Sequence, residues 1–184
     1  MKIILETERL YLREITPGDF DALARVLKDE QTMYAYEGAF DDDTVNYWIT
    51  RQAERYAENG FGLWLVVLKS TGESVGMCGL TMQPWRGGEV LEIGYLFERT
   101  HWHNGYATEA ARACRDYAFE VLGADEVCSI IRDTNIASQA VAKRNGMTRT
   151  DADIKHYRGV DMPHHRYVIV KEERDALKKK GERK

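Results

Sequence analysis

From position 92 to 110 the chain reads Glu-Ile-Gly-Tyr-Leu-Phe-Glu-Arg-Thr-His-Trp-His-Asn-Gly-Tyr-Ala-Thr-Glu-Ala. An apolar strand pattern runs through a short loop into a helix whose first turn holds Gly105, Ala107 and Thr108. Small residues there let main chain come close to a ligand. The exposed N–H groups of a helix start, aided by the helix dipole, favour a phosphate. The alternative is an ordinary helix start with no ligand. A Walker loop, G-x-x-x-x-G-K-[ST], is absent, and so is the dinucleotide pattern G-x-G-x-x-G. The spacing therefore points to another phosphate-bearing cofactor.

Two further positions carry chemistry. Strand alternation places Glu92 with Val90, Gly94 and Leu96, an acid on an otherwise apolar or small face, suited to a general base. A solvated charge near a strand end is the other reading. Asn135 follows Asp133-Thr134 at a helix start with Ser138 three residues on. An Asn there caps the helix, a contribution of about 1 kcal/mol. His101 and His103 form an H-x-H pair, and His156, His164 and His165 lie near the end. Cys and carboxylate partners at ligand spacing are missing, so loop histidines without metal are expected. Cys78, Cys114 and Cys128 sit in apolar segments and read as buried, reduced thiols.

These positions need a scaffold. Residues 2–15 suit a first strand, and Pro17 opens a helix with Phe20, Leu23, Ala24 and Leu27 on one face. A second helix over 43–59 carries Val45, Trp48, Ile49 and Tyr56 and stops at Asn59-Gly60. Strands at 62–69, 74–82 and 89–98 form an antiparallel meander. An alanine-rich helix over 105–122 follows, then a strand at 126–132, a helix at 135–145 stopped by Gly146, and strands at 147–157 and 162–170 about a Gly159 turn. Only the step from the 89–98 strand through the long helix to 126–132 requires a crossover. The expected fold is α+β (mixed α/β), with about seven mostly antiparallel strands, about four helices and one βαβ unit carrying the loop.

At 184 residues and 43% hydrophobic content, the length suits one domain, expected at 1–170, with a charged tail at 171–184. The tail carries seven basic and four acidic residues, so of the formal −4 the body holds −7. It is expected as a solvated helical or frayed segment, with a docking patch for an acidic partner as the alternative. The acidic balance offers nucleic acid or an anionic membrane no global attraction. No apolar run reaches spanning length and the start is too short for a signal peptide, so a cytoplasmic protein is expected.

Trp102-His103-Asn104-Gly105-Tyr106-Ala107 resembles the acetyl-CoA pyrophosphate loop of GNAT N-acetyltransferases, [QR]-x-x-G-x-[GA], with Trp at the first position as in the branch similar to ribosomal-protein-alanine acetyltransferases (RimJ/RimL type). The resemblance covers nearly the whole chain. It extends to Thr7-Glu8-Arg9-Leu10-Tyr11-Leu12-Arg13, Gly76-Met77-Cys78-Gly79-Leu80, Glu92-Ile93-Gly94-Tyr95, Asn135 to Ser138 and Asn145-Gly146-Met147.

The resemblance implies that main chain of Leu96, Phe97 and Glu98 holds the pantetheine arm, one N–H of that strand meeting the oxyanion. It implies that amides of His103, Asn104, Gly105, Tyr106, Ala107 and Thr108 hold the pyrophosphate, with Arg99 nearby offsetting the acidic body. Asn135 would also touch the cofactor arm. Many GNAT enzymes protonate the leaving thiolate with a Tyr seven residues after that Asn; this chain has Ala142, which leaves Ser138 as donor or relay. Acetyl-CoA would be the cosubstrate and no metal would be involved. Transfer would run by direct attack of a primary amine in a ternary complex, with Glu92 as base and no enzyme nucleophile.

The acceptor is left open among a protein N-terminal α-amine, an internal lysine and a small amine, with the branch tilting toward the first. A lysine-like amine of pKa ~10.4 costs roughly 4–5 kcal/mol to deprotonate at pH 7, an α-amine near ~7.7 only about 1. Specificity would come from the first two helices, their loop and the closing hairpin. The candidate walls are Tyr34, Tyr36, Glu37, Trp85 and Tyr157, with core or rim positions as the alternative. A homodimer is left open. The rival to an enzyme is a non-catalytic acyl-CoA-binding regulatory module, which Ala142 favours and Glu92, Asn135 and Ser138 oppose.

Overall fold

The computed structural model describes residues 2–181. Eight strands among the described residues stand in one sheet in the order β1 (Ile3–Glu6), β2 (Leu10–Glu14), β3 (Leu63–Leu68), β4 (Ser74–Trp85), β5 (Gly88–Phe97), β6 (Glu126–Arg132), β8 (Val160–Val170) and β7 (Thr148–Tyr157). The backbone divides into two compact units, one built from residues up to Thr81 with Gly94–Cys114, the other from Met82–Ile93 with the chain from Arg115 onward.

In the first unit the expected opening strand is two strands, β1 (Ile3–Glu6) and β2 (Leu10–Glu14). The polar triplet Thr7-Glu8-Arg9 breaks it. The Thr7 N–H is donated to the Leu10 carbonyl at 2.9 Å, and the Thr7 hydroxyl oxygen accepts the Leu10 N–H at 3.0 Å, closing an antiparallel turn. β2 pairs with β3 (Leu63–Leu68), and β3 with β4 (Ser74–Trp85), both antiparallel.

Pro17 starts a 3-10 turn, and α1 follows at Phe20–Leu27. Asp19 ties that turn down. Its carboxylate accepts from both Arg13 terminal nitrogens, at 2.8 and 2.5 Å, and from the Thr16 N–H and hydroxyl, each at 2.8 Å. α2 (Asp42–Asn59) is capped by Asp41, which accepts the Thr44 N–H at 2.8 Å, and ends at Gly60 in the left-handed conformation. Leu23, Val26 and Leu27 of α1, with Val45 and Ile49 of α2, pack with Leu63, Leu65, Val67 and Met77 in a buried cluster. Truncating one such leucine to Ala would cost about 2–5 kcal/mol. Gln52 lies in this wall and accepts the Leu63 N–H at 2.9 Å. The Tyr56 hydroxyl donates to the Leu63 carbonyl and accepts the Ile15 N–H at 3.1 Å.

β5 (Gly88–Phe97) and α3 (Tyr106–Glu120) contribute to both units. In the second unit β5 runs parallel to β6 (Glu126–Arg132), with Glu92 opposite Cys128. This is the expected βαβ step. α4 (Ile136–Arg144) leads to β7 (Thr148–Tyr157) and β8 (Val160–Val170). β8 pairs antiparallel with β6 and with β7, so β7 ends the sheet. Among the described residues the strands number eight, and the fifth helix comes from the tail.

α5 spans Lys171–Gly181. Arg174 is buried with its guanidinium 3.3 Å from Asp116 and 3.0 Å from Glu120, and Lys178 also reaches Glu120. The acidic surface that this helix meets is therefore the C-terminal half of α3. Residues 182–184 of the tail lie outside the described residues. No helix among the described residues is long and apolar enough to cross a membrane.

Candidate functional site

After β5 the chain makes a 3-10 turn at Arg99–His101. The Trp102 indole N–H is donated to the Phe97 carbonyl at 2.8 Å. The Asn104 side-chain amide donates to the carbonyls of His101 and Trp102, at 3.1 and 3.2 Å. His103 and Gly105 both take positive φ, 64° and 80°. Left-handed conformations at alternate residues can aim successive main-chain N–H groups into one concavity, the arrangement that grips phosphate. α3 then begins at Tyr106. The sequence-derived loop residues from His103 to Thr108 form one continuous strand-to-helix corner.

Basic side chains around the corner have carboxylate partners. Arg25 lies 3.0 Å from Glu98, Arg99 3.5 Å from Asp29 and His101 3.4 Å from Glu73. The Thr32 N–H, helped by its hydroxyl and Arg99, holds the Asp29 carboxyl below its usual value despite a desolvation penalty. Arg99, expected to offset the acidic body, is thus itself offset by Asp29. The Glu98 N–H is donated to the Val75 carbonyl at 2.9 Å. Among the three residues expected to hold the cofactor arm, that donor is committed within the fold.

A bracket that spacing along the sequence did not reveal comes from the β1–β2 turn. Glu109, in the first turn of α3, accepts the Thr7 hydroxyl at 2.6 Å, the Arg9 N–H at 2.9 Å and Arg9 Nε at 2.7 Å. Arg9 Nη1 donates to the Asn104 carbonyl at 3.0 Å, and the guanidinium lies 4.7 Å from the centre of the Tyr106 ring. Burial pushes the Glu109 carboxyl up, but the hydrogen bonds from Thr7 and Arg9 outweigh it and leave it below its usual value.

In the second unit Glu92 is half-buried, and its carboxylate accepts the Ile130 N–H at 3.1 Å. The Ser129 hydroxyl donates to the Ile93 carbonyl at 2.9 Å. Side chains thus supply cross-strand hydrogen bonds between β5 and β6, and the acid is held in one orientation. Asn135 caps α4 by accepting the Ser138 N–H at 3.1 Å. Ser138 is half-buried in the first turn of that helix. Ala142 is 1% exposed, so a Tyr at that position would have to displace packed neighbours.

The candidate acceptor walls differ in setting. Tyr34 is exposed, Tyr36 packs edge-on against Phe40 and Trp48, and Glu37 caps a 3-10 turn in the left-handed conformation. Trp85 is 7% exposed and its indole N–H reaches Asp151 at 3.3 Å. Tyr157, at the end of β7, is exposed beneath the Arg158 guanidinium.

The three cysteines are buried free thiols. Burial and the neighbouring Cys78, whose sulfur is 3.6 Å away, push the Cys114 thiol up. Burial, with the charge of Glu92, pushes Cys128 up to about 12. Neither is a thiolate near neutrality. His156 stands on β7 and His164 and His165 on β8, the two closing strands. Among the described residues no group of three or more His, Cys, Asp or Glu is placed to hold a metal ion.

The family model of an acetyltransferase (GNAT) domain matches residues 9–148, from the β1–β2 turn through the corner to the start of β7. The chain belongs to the GNAT acetyltransferase family. It is 38% identical over 147 residues to the uncharacterized protein YkkB of Bacillus subtilis (strain 168), which covers 79% of this chain and 86% of that one. It is 32% identical over 136 residues to the uncharacterized N-acetyltransferase p20 of Bacillus licheniformis, covering 73% and 76%. A solved structure of RimL, a ribosomal L7/L12 alpha-N-protein acetyltransferase in complex with coenzyme A, superposes with a TM-score of 0.76 at 18% identity, covering 92% of this chain and 98% of that chain. At that identity the likeness is one of fold. GNAT acetyltransferases draw their acetyl group from acetyl-CoA, and a corner of main-chain donors around Gly105 suits the diphosphate of that cosubstrate.

Proposed function

We propose that this GNAT enzyme transfers acetyl from acetyl-CoA to a primary amine, either a protein N-terminal α-amine or a small amine, by direct attack in a ternary complex. The observation that carries the reading is the corner itself, with positive φ at His103 and Gly105 leading into α3. In this reading the amides from His103 to Thr108 hold the diphosphate and main chain at Leu96–Phe97 holds the pantetheine arm.

Glu92 takes a proton from the acceptor ammonium, directly or through water. The freed nitrogen attacks the thioester carbonyl carbon, giving a tetrahedral oxyanion that a β5 N–H meets. The carbon–sulfur bond then breaks as the nitrogen gives up its second proton, and the departing thiolate receives a proton from or through Ser138, which the nitrogen's proton restores. The raised thiols of Cys114 and Cys128 support direct attack, since an acetyl-enzyme would need a thiolate. Tyr34, Tyr36, Glu37, Trp85 and Tyr157 are the proposed acceptor side.

Thiol release from acetyl-CoA, measured against a panel of peptides with free N-termini, lysine peptides and small amines, tests the reading. Turnover with α-amines or small amines supports it. Coenzyme A binding without turnover across the panel would contradict it.

A further inference from the structure

We infer that Arg9 and Glu109 are positioning residues for the cofactor corner, acting as a brace between the β1–β2 turn and the first turn of α3. The inference rests on the reading that this corner takes the diphosphate of acetyl-CoA. The corner's working groups are main-chain N–H donors, so their aim depends on backbone shape between His103 and Thr108. Arg9 meets that segment through one main-chain carbonyl and one ring, and lies beside the glycine between them. Its Nη1 holds the Asn104 carbonyl at 3.0 Å, and its guanidinium lies over the Tyr106 ring at 4.7 Å. A Cβ built on Gly105 would stand 3.5 Å from its Nη2. Asn104, Gly105 and Tyr106 are three consecutive residues of the proposed phosphate cradle.

Glu109 fixes Arg9 in turn. Its two carboxylate oxygens take the Arg9 N–H, Nε and Nη2, the last at 2.7 Å, and the Thr7 hydroxyl. Nε and Nη2 both meet one oxygen, Oε2, while Oε1 takes the Arg9 N–H and the Thr7 hydroxyl; this holds the guanidinium plane, and a planar group is what stacks on Tyr106 and reaches Asn104 together. Arg9 is half-exposed, its side chain retaining 46% of its accessibility. A surface ion pair of this kind contributes little to stability, so its effect should fall on cofactor binding. Since the carboxylate neutralises much of the guanidinium charge, Arg9 works by shape more than by attraction to phosphate.

Lysine separates shape from charge. Arg9→Lys keeps the cation and loses the paired Nε and Nη2 contacts to Oε2, the stack and the reach to Asn104. Coenzyme A titration by calorimetry is run on the wild type, Arg9→Ala, Arg9→Lys, Glu109→Gln and Gly105→Glu, with steady-state kinetics and melting curves alongside. The brace predicts that Arg9→Ala, Arg9→Lys and Glu109→Gln each weaken coenzyme A about tenfold. The KM for acetyl-CoA should rise while kcat at saturation holds within twofold. The Arg9→Ala/Glu109→Gln double variant should be no worse than either single one. Glu109→Gln preserves side-chain volume and serves as the probe where Arg9→Ala melts below the assay temperature.

Wild-type affinity in Arg9→Lys with a loss in Arg9→Ala would overturn the brace in favour of simple charge. Wild-type affinity in all three variants would overturn it outright. Failure of the wild type to bind coenzyme A, or full binding by Gly105→Glu, would instead remove the cofactor reading beneath it.

Discussion

The Trp102 indole and the Phe97 carbonyl, joined at 2.8 Å, close the turn between β5 and α3. Trp102 stands where the family pattern has Gln or Arg, side chains that also carry N–H donors. Trp102→Phe keeps the aromatic bulk and removes the donor, a loss of about 1 kcal/mol. The KM for acetyl-CoA should rise about fivefold with little change in kcat, measured by thiol release; Trp102→Gln should recover part of it.

Gly76 lies against the strand that leads into this turn. A Cβ there would stand 2.8 Å from the Phe97 Cα and closer still to the Leu96 carbonyl. Gly76→Ala must push on the main chain proposed to hold the pantetheine arm. A loss of about 1–3 kcal/mol in urea unfolding is expected, with weaker acetyl-CoA binding.

Arg174 ties the final helix to α3 through Asp116, Glu120 and the face of Phe119, 5.4 Å from its ring centre. Arg174→Ala removes the packed stem and leaves two carboxylates without that partner. The expected loss is about 1–2 kcal/mol, a fall in Tm of about 3–6 °C for a chain of this size.

Asp19 sets an acid limit on stability. Burial alone would raise its carboxyl, but the hydrogen bonds from Arg13 and Thr16 win and hold it below the usual 3.8. A depressed folded-state value stabilises the fold fully above the unfolded value and ceases to as pH falls through the folded one. Asp19→Asn should be less stable than wild type at pH 7, with the gap narrowing below about pH 4 in urea titrations.

Much of this was readable along the chain because it depends on local pattern. The β6 boundaries at Glu126 and Arg132 and the Asn135 cap follow from apolar alternation and helix-start chemistry, and both stand in the structure. The crossover between β5 and β6 followed from chain order. What escaped rests on single side-chain contacts rather than on periodicity. The Thr7 turn that splits the first strand, the Gln52 contact to Leu63 and the Arg9–Glu109 brace, 100 residues apart, leave no periodic signal. The Arg99 pairing was hidden as well, because its partner Asp29 lies in the turn after α1, far from it in sequence. The tail looked like a free charged segment for the same reason, its acidic partners lying on α3.

Calorimetric titration of coenzyme A and of pantetheine, which lacks the diphosphate, into the wild type and Gly105→Glu tests the central claim most directly. Main-chain capture of the diphosphate predicts that coenzyme A binds the wild type at least tenfold more tightly than pantetheine does. The carboxylate placed at position 105 should abolish that advantage. Equal affinities for coenzyme A in the two proteins would contradict the account.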